Sequence, residues 1–106
     1  MKRMHSDLEK DLVQQCKDSA KAMNAFLAVV GQYKAKHSGT TLGFPDLVLI
    51  CSGKVVLIET KRATGGVLSL GQHAFIAMAL EQGVEVEVID KVQDFEALVN
   101  RCRRKH

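Results

Sequence analysis

The spacing of apolar residues along this chain changes period several times, and each change marks an element. Leu8, Leu12, Val13, Cys16, Ala20 and Met23 fall on one stripe at helical spacing, with Lys10, Asp11, Lys17, Asp18 and Lys21 away from it. Ser6-Asp7-Leu8-Glu9 has the form of a capping box and opens this helix, which the pattern carries to about Met23. Phe26 to Val30 then reads as a short strand, with a longer first helix as the alternative. From Gly31 to Gly43 the chain is polar, basic and punctuated by glycine, which predicts mainly an exposed loop.

Two apolar runs follow, Leu47 to Cys51 and Lys54 to Ile58, around Ser52-Gly53. Val48, Ile50, Val55 and Leu57 would share one face of such a hairpin, and Leu47, Leu49, Val56 and Ile58 the other. Both faces are apolar, so the hairpin is expected inside a sheet with helices on each side. A two-residue turn pairs Cys51 with Lys54, and the numbers of paired residues then sum to 105. A four-residue loop on the same dipeptide gives the same register. Asp46 then stands opposite Glu59 on one face, with Cβ atoms roughly 4.5–5.5 Å apart.

Ala63-Thr64-Gly65-Gly66 is a turn segment. Ser69 is the expected N-cap of a helix through about Gln82 that carries Phe75, Ile76, Ala79 and Leu80, with Gly83 as its stop. Val84 to Ile89 alternates as a half-buried strand. Lys91 to Cys102 forms a last helix on Val92, Phe95, Leu98 and Val99, followed by a basic tail expected to fray. The order is α-β-β-β-α-β-α. The helix after the hairpin is a crossover, which predicts a parallel, right-handed connection and a mixed sheet between helices. The chain of 106 residues reads as one α/β domain over 1–106, with a core of about 6–100 and a basic tail at 101–106.

Composition narrows the picture only slightly. With 46% hydrophobic and 25% charged residues, the chain resembles ordinary soluble domains. A net charge of +3 is compatible with nucleic acid without arguing for it. The basic residues are unevenly spread: Lys34, Lys36, Lys61 and Arg62 flank the hairpin, and Arg101, Arg103, Arg104 and Lys105 crowd the end. Cys16, Cys51 and Cys102 are odd in number and lack CxxC spacing, which predicts buried thiols in a reducing compartment. The first residues lack the apolar run of a signal peptide and no stretch reaches membrane-spanning length, so an intracellular protein is expected.

Asp46, Glu59 and Lys61 are the residues with chemical potential. Like charges facing each other across a ladder are destabilising, and without a cation one carboxylate would be pushed toward protonation. A divalent ion resolves that conflict. Glu59 and Lys61 share a face and Thr60 points to the other, so the lysine lies beside the two acids. The ordinary readings are an Asp that opens a strand after proline and a solvated strand end. The histidines make no metal set: His5 and His106 are terminal and His73 reads as a surface residue. Lys34, Lys36, His37, Lys54 and Arg62 are candidate phosphate contacts, which would position rather than read sequence. Tyr33 is the only tyrosine, too few aromatics for a base-stacking platform.

Gly43-Phe44-Pro45-Asp46-Leu47, Glu59-Thr60-Lys61-Arg62, Gly65-Gly66 and Ser69-Leu70-Gly71-Gln72 resemble the virus-type replication-repair nuclease (VRR-NUC) domain of the PD-(D/E)xK superfamily, over Glu9 to about Val99. The resemblance implies a restriction-endonuclease-like fold: a mixed sheet flanked by helices. It implies that Asp46 and Glu59 coordinate Mg²⁺ or Mn²⁺ with the backbone carbonyl of Thr60, all hard oxygen donors. It also implies that Lys61 orients the attacking water or offsets charge on the phosphate, and that Gln72 lies near the carboxylates. A glutamate of the first helix supports the metal in the family, which suits Glu9, although Glu9 is also placed to cap its own helix. Standalone phage members act as homodimers on four-way (Holliday) junctions. The expectation is therefore a metal-dependent DNA endonuclease acting as a homodimer through Gly31 to Phe44 or the first helix. The alternatives are a catalytically silent nucleic-acid-binding module and a nonspecific nickase.

Overall fold

The computed structural model describes residues 5–30, 41–61 and 66–104, with side chains of the first helix from Lys10 onward. Helix α1 spans His5–Ala22 and ends at Asn24, which adopts the left-handed φ of 57° common after a helix. Strand β1 (Phe26–Val29) follows, then the hairpin of β2 (Leu47–Cys51) and β3 (Lys54–Thr60), helix α2 (Leu70–Glu81), strand β4 (Glu87–Ile89) and helix α3 (Val92–Arg103). This is the predicted order. The sheet has four strands in the order β1-β2-β3-β4, with β3 and β4 parallel and the other pairs antiparallel.

The hairpin register is the predicted one, from Cys51 opposite Lys54 to Leu47 opposite Ile58. Ser52 and Gly53 both have positive φ, 54° and 79°, as a two-residue turn of the I′ kind requires. Helices α1 and α3 seal one face of the sheet. Leu12, Cys16, Ala20, Phe95, Leu98, Val99 and Cys102 pack there on Leu47, Leu49, Cys51, Ile58 and Ile89. Ser19 Oγ also donates to Glu96 Oε2 at 2.6 Å, tying the two helices together.

The other face departs from expectation. Among the described residues α2 is the helix on this side, reached through Gln72 and Glu59, and none of α2's residues is buried. Phe26, Ile50 and Val55 form a cross-strand row on this face, and Phe26 is 63% and Val55 62% exposed. The sheet is flanked by helices as expected, but the cover on this face leaves Phe26 and Val55 exposed.

Two boundaries also differ. The last strand begins at Glu87 instead of Val84, because the Val84 N–H bonds to the Ala79 carbonyl and stays with the end of α2. The basic tail is helical through Arg103 and is engaged. Arg101 Nη2 lies 3.3 Å from Glu87 Oε2, and Arg103 Nη2 donates to the carbonyls of Met23 and Asn24. Those carbonyls sit at the electronegative end of α1, where a cation is favoured.

Candidate active site

Pro45 precedes β2, so the pleated ladder stops just where Asp46 begins. In the continued register, Asp46 faces Glu59 and Pro45 faces Thr60. The Asp46 backbone carbonyl accepts from the Val30 N–H at 2.8 Å, which fixes the loop against the end of β1. Its side chain turns across the strand end. Asp46 Oδ2 accepts from the Thr60 N–H at 3.1 Å and from Thr60 Oγ1 at 2.5 Å. The carboxylate thus takes the place of a ladder partner for Thr60. It is 7% exposed, and Thr60 is 1% exposed.

Glu59 lies beneath the start of α2 and is 2% exposed. Gln72 Nε2 donates to Glu59 Oε2 at 2.5 Å, and Lys61 Nζ lies 3.9 Å from the same oxygen. Gln72 is held from both ends of its amide. Its Oε1 accepts from the Ser69 N–H at 2.8 Å, while its own N–H donates to Ser69 Oγ at 3.1 Å. That reciprocal pair is a capping box at the start of α2. Because Oε1 is committed to the cap, the NH₂ group is the end that faces Glu59.

Three of the residues singled out in the sequence therefore come into contact, Glu59, Lys61 and Gln72, and Asp46 is tied to Thr60, the neighbour of Glu59 in the chain. Thr60 joins them through its N–H and hydroxyl, groups not assigned to it from the sequence, where strict alternation had pointed it away. The clue to Gln72's fixed orientation was present in Ser69-x-x-Gln72, a capping-box signature. The side chain of Glu9 and the residues Lys34, Lys36, His37 and Arg62 lie outside the described residues. Lys54, at the hairpin turn, is remote from the site.

The electrostatics also differ from the sequence argument. Each carboxylate has its own donors: Thr60 for Asp46, and Gln72 and Lys61 for Glu59. Hydrogen bonds to the charged form offset part of the repulsion and of the burial cost, so opposition across the ladder does not by itself demand an ion. The donor set remains suited to one. Two buried carboxylates from adjacent strands are the hard oxygen ligands that Mg²⁺ and Mn²⁺ prefer. Among the described residues no group of three or more His, Cys, Asp and Glu side chains is placed to hold a metal. The pair would be completed by main-chain oxygen or water.

A family model described as the VRR-NUC domain matches residues 2–93. The chain belongs to the VRR-NUC domain family. Two solved structures are similar to it. One, named "VRR_NUC domain protein", is 17% identical with a TM-score of 0.69, covering 87% of this chain and 84% of that one. The other, named "VRR_NUC domain", is 16% identical with a TM-score of 0.67, covering 87% of this chain and 94% of that one. No curated protein matches. VRR-NUC domains are in general nucleases, and the chain has the nuclease-type fold with a mixed sheet flanked by helices. No helix among the described residues is long and apolar enough to cross a membrane.

Proposed function

We propose that this VRR-NUC chain is a single-domain, divalent-metal-dependent endonuclease that hydrolyses phosphodiester bonds in branched DNA, four-way junctions above all, as a homodimer. The observation that carries the reading is the convergence of Asp46, Glu59, Lys61 and Gln72 at one end of the hairpin, with both carboxylates buried. Burying two acids in a small domain is costly, and such groups concentrate at functional sites. Asp46, Glu59 and the Thr60 carbonyl would hold Mg²⁺ or Mn²⁺, with Glu9 as a further ligand. A bound ion supplies an activated water and stabilises charge on the phosphate. The chain's own residues do the rest. Thr60 fixes Asp46, Gln72 fixes Glu59, and Lys61 orients the attacking water and offsets charge on the scissile phosphate. Lys34, Lys36, His37 and Arg62 would grip the neighbouring phosphates.

Two symmetric cuts in a junction need two sites related by a two-fold axis, which a second copy provides. The open face offers a surface for it. No Asp, Glu, Lys or Arg occurs from Gly66 to Leu80, Leu70 on α2 is 87% exposed, and Phe26 and Val55 of the apolar row are 63% and 62% exposed. Such a surface suits its own copy better than a polyanion.

The test is cleavage of labelled four-way junction, nicked duplex and linear duplex with Mg²⁺, Mn²⁺ or EDTA. Cutting of the junction alone, abolished by EDTA, is expected, and Lys61→Ala should lose turnover while keeping metal binding. Cleavage that survives EDTA would sink the metal requirement, and equal cutting of linear duplex would sink the junction preference. Sedimentation should give a dimer that Val55→Lys dissociates; a wild-type monomer would remove the dimer. The donors that Asp46 Oδ2 and Glu59 Oε2 already have within the chain favour one rival, a silent binding module on the same fold. It predicts metal-independent junction binding that weakens with salt, and no product.

A further inference from the structure

The loop that delivers Asp46 and the helix that delivers Gln72 meet backbone to backbone. Gly43 has φ +82° and faces the first turn of α2. A Cβ at this position would overlap the carbonyl of Gly71 and come within 2.9 Å of the Gln72 N. No rotamer change relieves such an overlap, because both partners are main chain. The contact is one-sided. A Cβ added at Gly71 would meet only Leu42 Cβ at 3.6 Å and the Gly43 backbone at 3.7–3.9 Å, which is ordinary packing. Next to the glycine, Phe44 stacks edge-on against Phe75 with ring centroids 5.2 Å apart. Helix α2 buries no residue fully, so it has no core anchor comparable to those of α1 and α3.

We propose that Gly43, with Phe44, forms a clasp that sets the position of α2 on the open face, and that Gly43 is thereby a positioning residue for the Gln72–Glu59 contact. The functional part rests on the nuclease reading above; the structural part does not. The clasp places the start of α2 within one residue of the glycine contact, so a displacement at Gly71 moves the Gln72 amide directly. Asp46 is held separately by Thr60 and stays in place. The clasp therefore couples the Glu59 carboxylate, through Gln72, to the loop that leads into Asp46.

The experiment compares Gly43→Ala, Gly71→Ala and Gln72→Ala in the full chain by amide hydrogen exchange and by junction cleavage. Gly43→Ala is expected to speed exchange across Leu70–Phe75 by roughly tenfold or more while the amides of β2, β3 and α3 keep their protection. Gly71→Ala should not speed exchange there and should leave cleavage unchanged. Cleavage by Gly43→Ala should fall about 10–100-fold, the usual loss when a ligand's supporting partner is removed. The double variant Gly43→Ala/Gln72→Ala should be no slower than the worse single one, since both act through one contact. Unchanged α2 exchange in Gly43→Ala would overturn the proposal, as would additive losses in the double variant. If Gly43→Ala unfolds the sheet as well, Phe75→Leu decides: selective opening of Leu70–Phe75 supports the clasp, and joint opening with the sheet rejects it. The exchange arm reads the clasp even if wild type cuts no DNA, so its failure is separable from that of the nuclease reading.

Discussion

On one face of the sheet Leu47, Leu49 and Ile58 are sealed beneath α1 and α3, whereas on the other Phe26, Ile50 and Val55 stand open. There, the most deeply buried side chain that β3 contributes is the Glu59 carboxylate. The closed face gains from each methylene removed from water. The open face does the reverse: it buries charge at one end and leaves hydrocarbon exposed at the other. A domain of this size sustains that arrangement because the closed face alone carries a contiguous core. The comparison separates the residues that hold the fold from those placed for chemistry.

Substitutions can break that division from either side. The largest effect is expected at the carboxylates. Asp46→Asn or Glu59→Gln should reduce junction cleavage on the order of 10³-fold, with an unchanged or higher melting temperature because a buried like charge is gone. A parallel loss of stability would show that the open face also holds the fold. Phe95→Ala, on the closed face, should cost about 3–5 kcal/mol in urea unfolding. Its folded fraction should cleave at the wild-type rate, and a rate defect at saturating stability would blur the comparison. Gln72→Glu is subtler. The carboxylate can still accept from the Ser69 N–H, so the cap of α2 survives, but a second acid now faces Glu59. Cleavage should fall about 10–100-fold with little change in helix content by circular dichroism.

The smallest effect concerns Cys16. Burial, with the Glu96 charge nearby, pushes its thiol up from 9.0 to about 12. In the unfolded chain the thiol ionises near its ordinary value, while in the folded chain it stays protonated. Its contribution to stability is therefore complete below pH 9 and lost as pH rises toward 12. Cys16→Val should flatten the alkaline side of a denaturation-versus-pH curve, and an unchanged slope would assign that dependence to other groups.

Much of this was legible from residues alone, and the parts that were not share a cause. The stripe of Leu12, Cys16 and Ala20 identified the core side of α1, and Val92, Phe95, Leu98 and Val99 identified α3, because periodicity reports which side of an element is apolar. It does not report how much of an apolar face finds a cover, which is why Val55 and Ile50 were expected inside and lie open. The partners of the acids were hidden for a similar reason. Thr60 bonds to Asp46 just beyond the end of β2 at Leu47, and alternation rules stop where the strand does. Arg101 and Arg103 looked like a loose basic tail, yet they meet Glu87 and the end of α1, contacts between segments far apart in sequence.

By itself, the sequence determined the hairpin register. Ser52 and Gly53 supply the two positive φ angles of the tight turn, a local preference that sets Asp46 against Glu59 with no help from the rest of the chain. It likewise determined the start of α2, since Ser69 and Gln72 cap it from within four residues. Only the tertiary structure decided where that helix sits. The Gly43–Gly71 approach and the Gln72–Glu59 bond join residues 28 and 13 positions apart, and no local pattern encodes a crossing of two backbones. The acids meet through a turn, and their supporting amide arrives through packing.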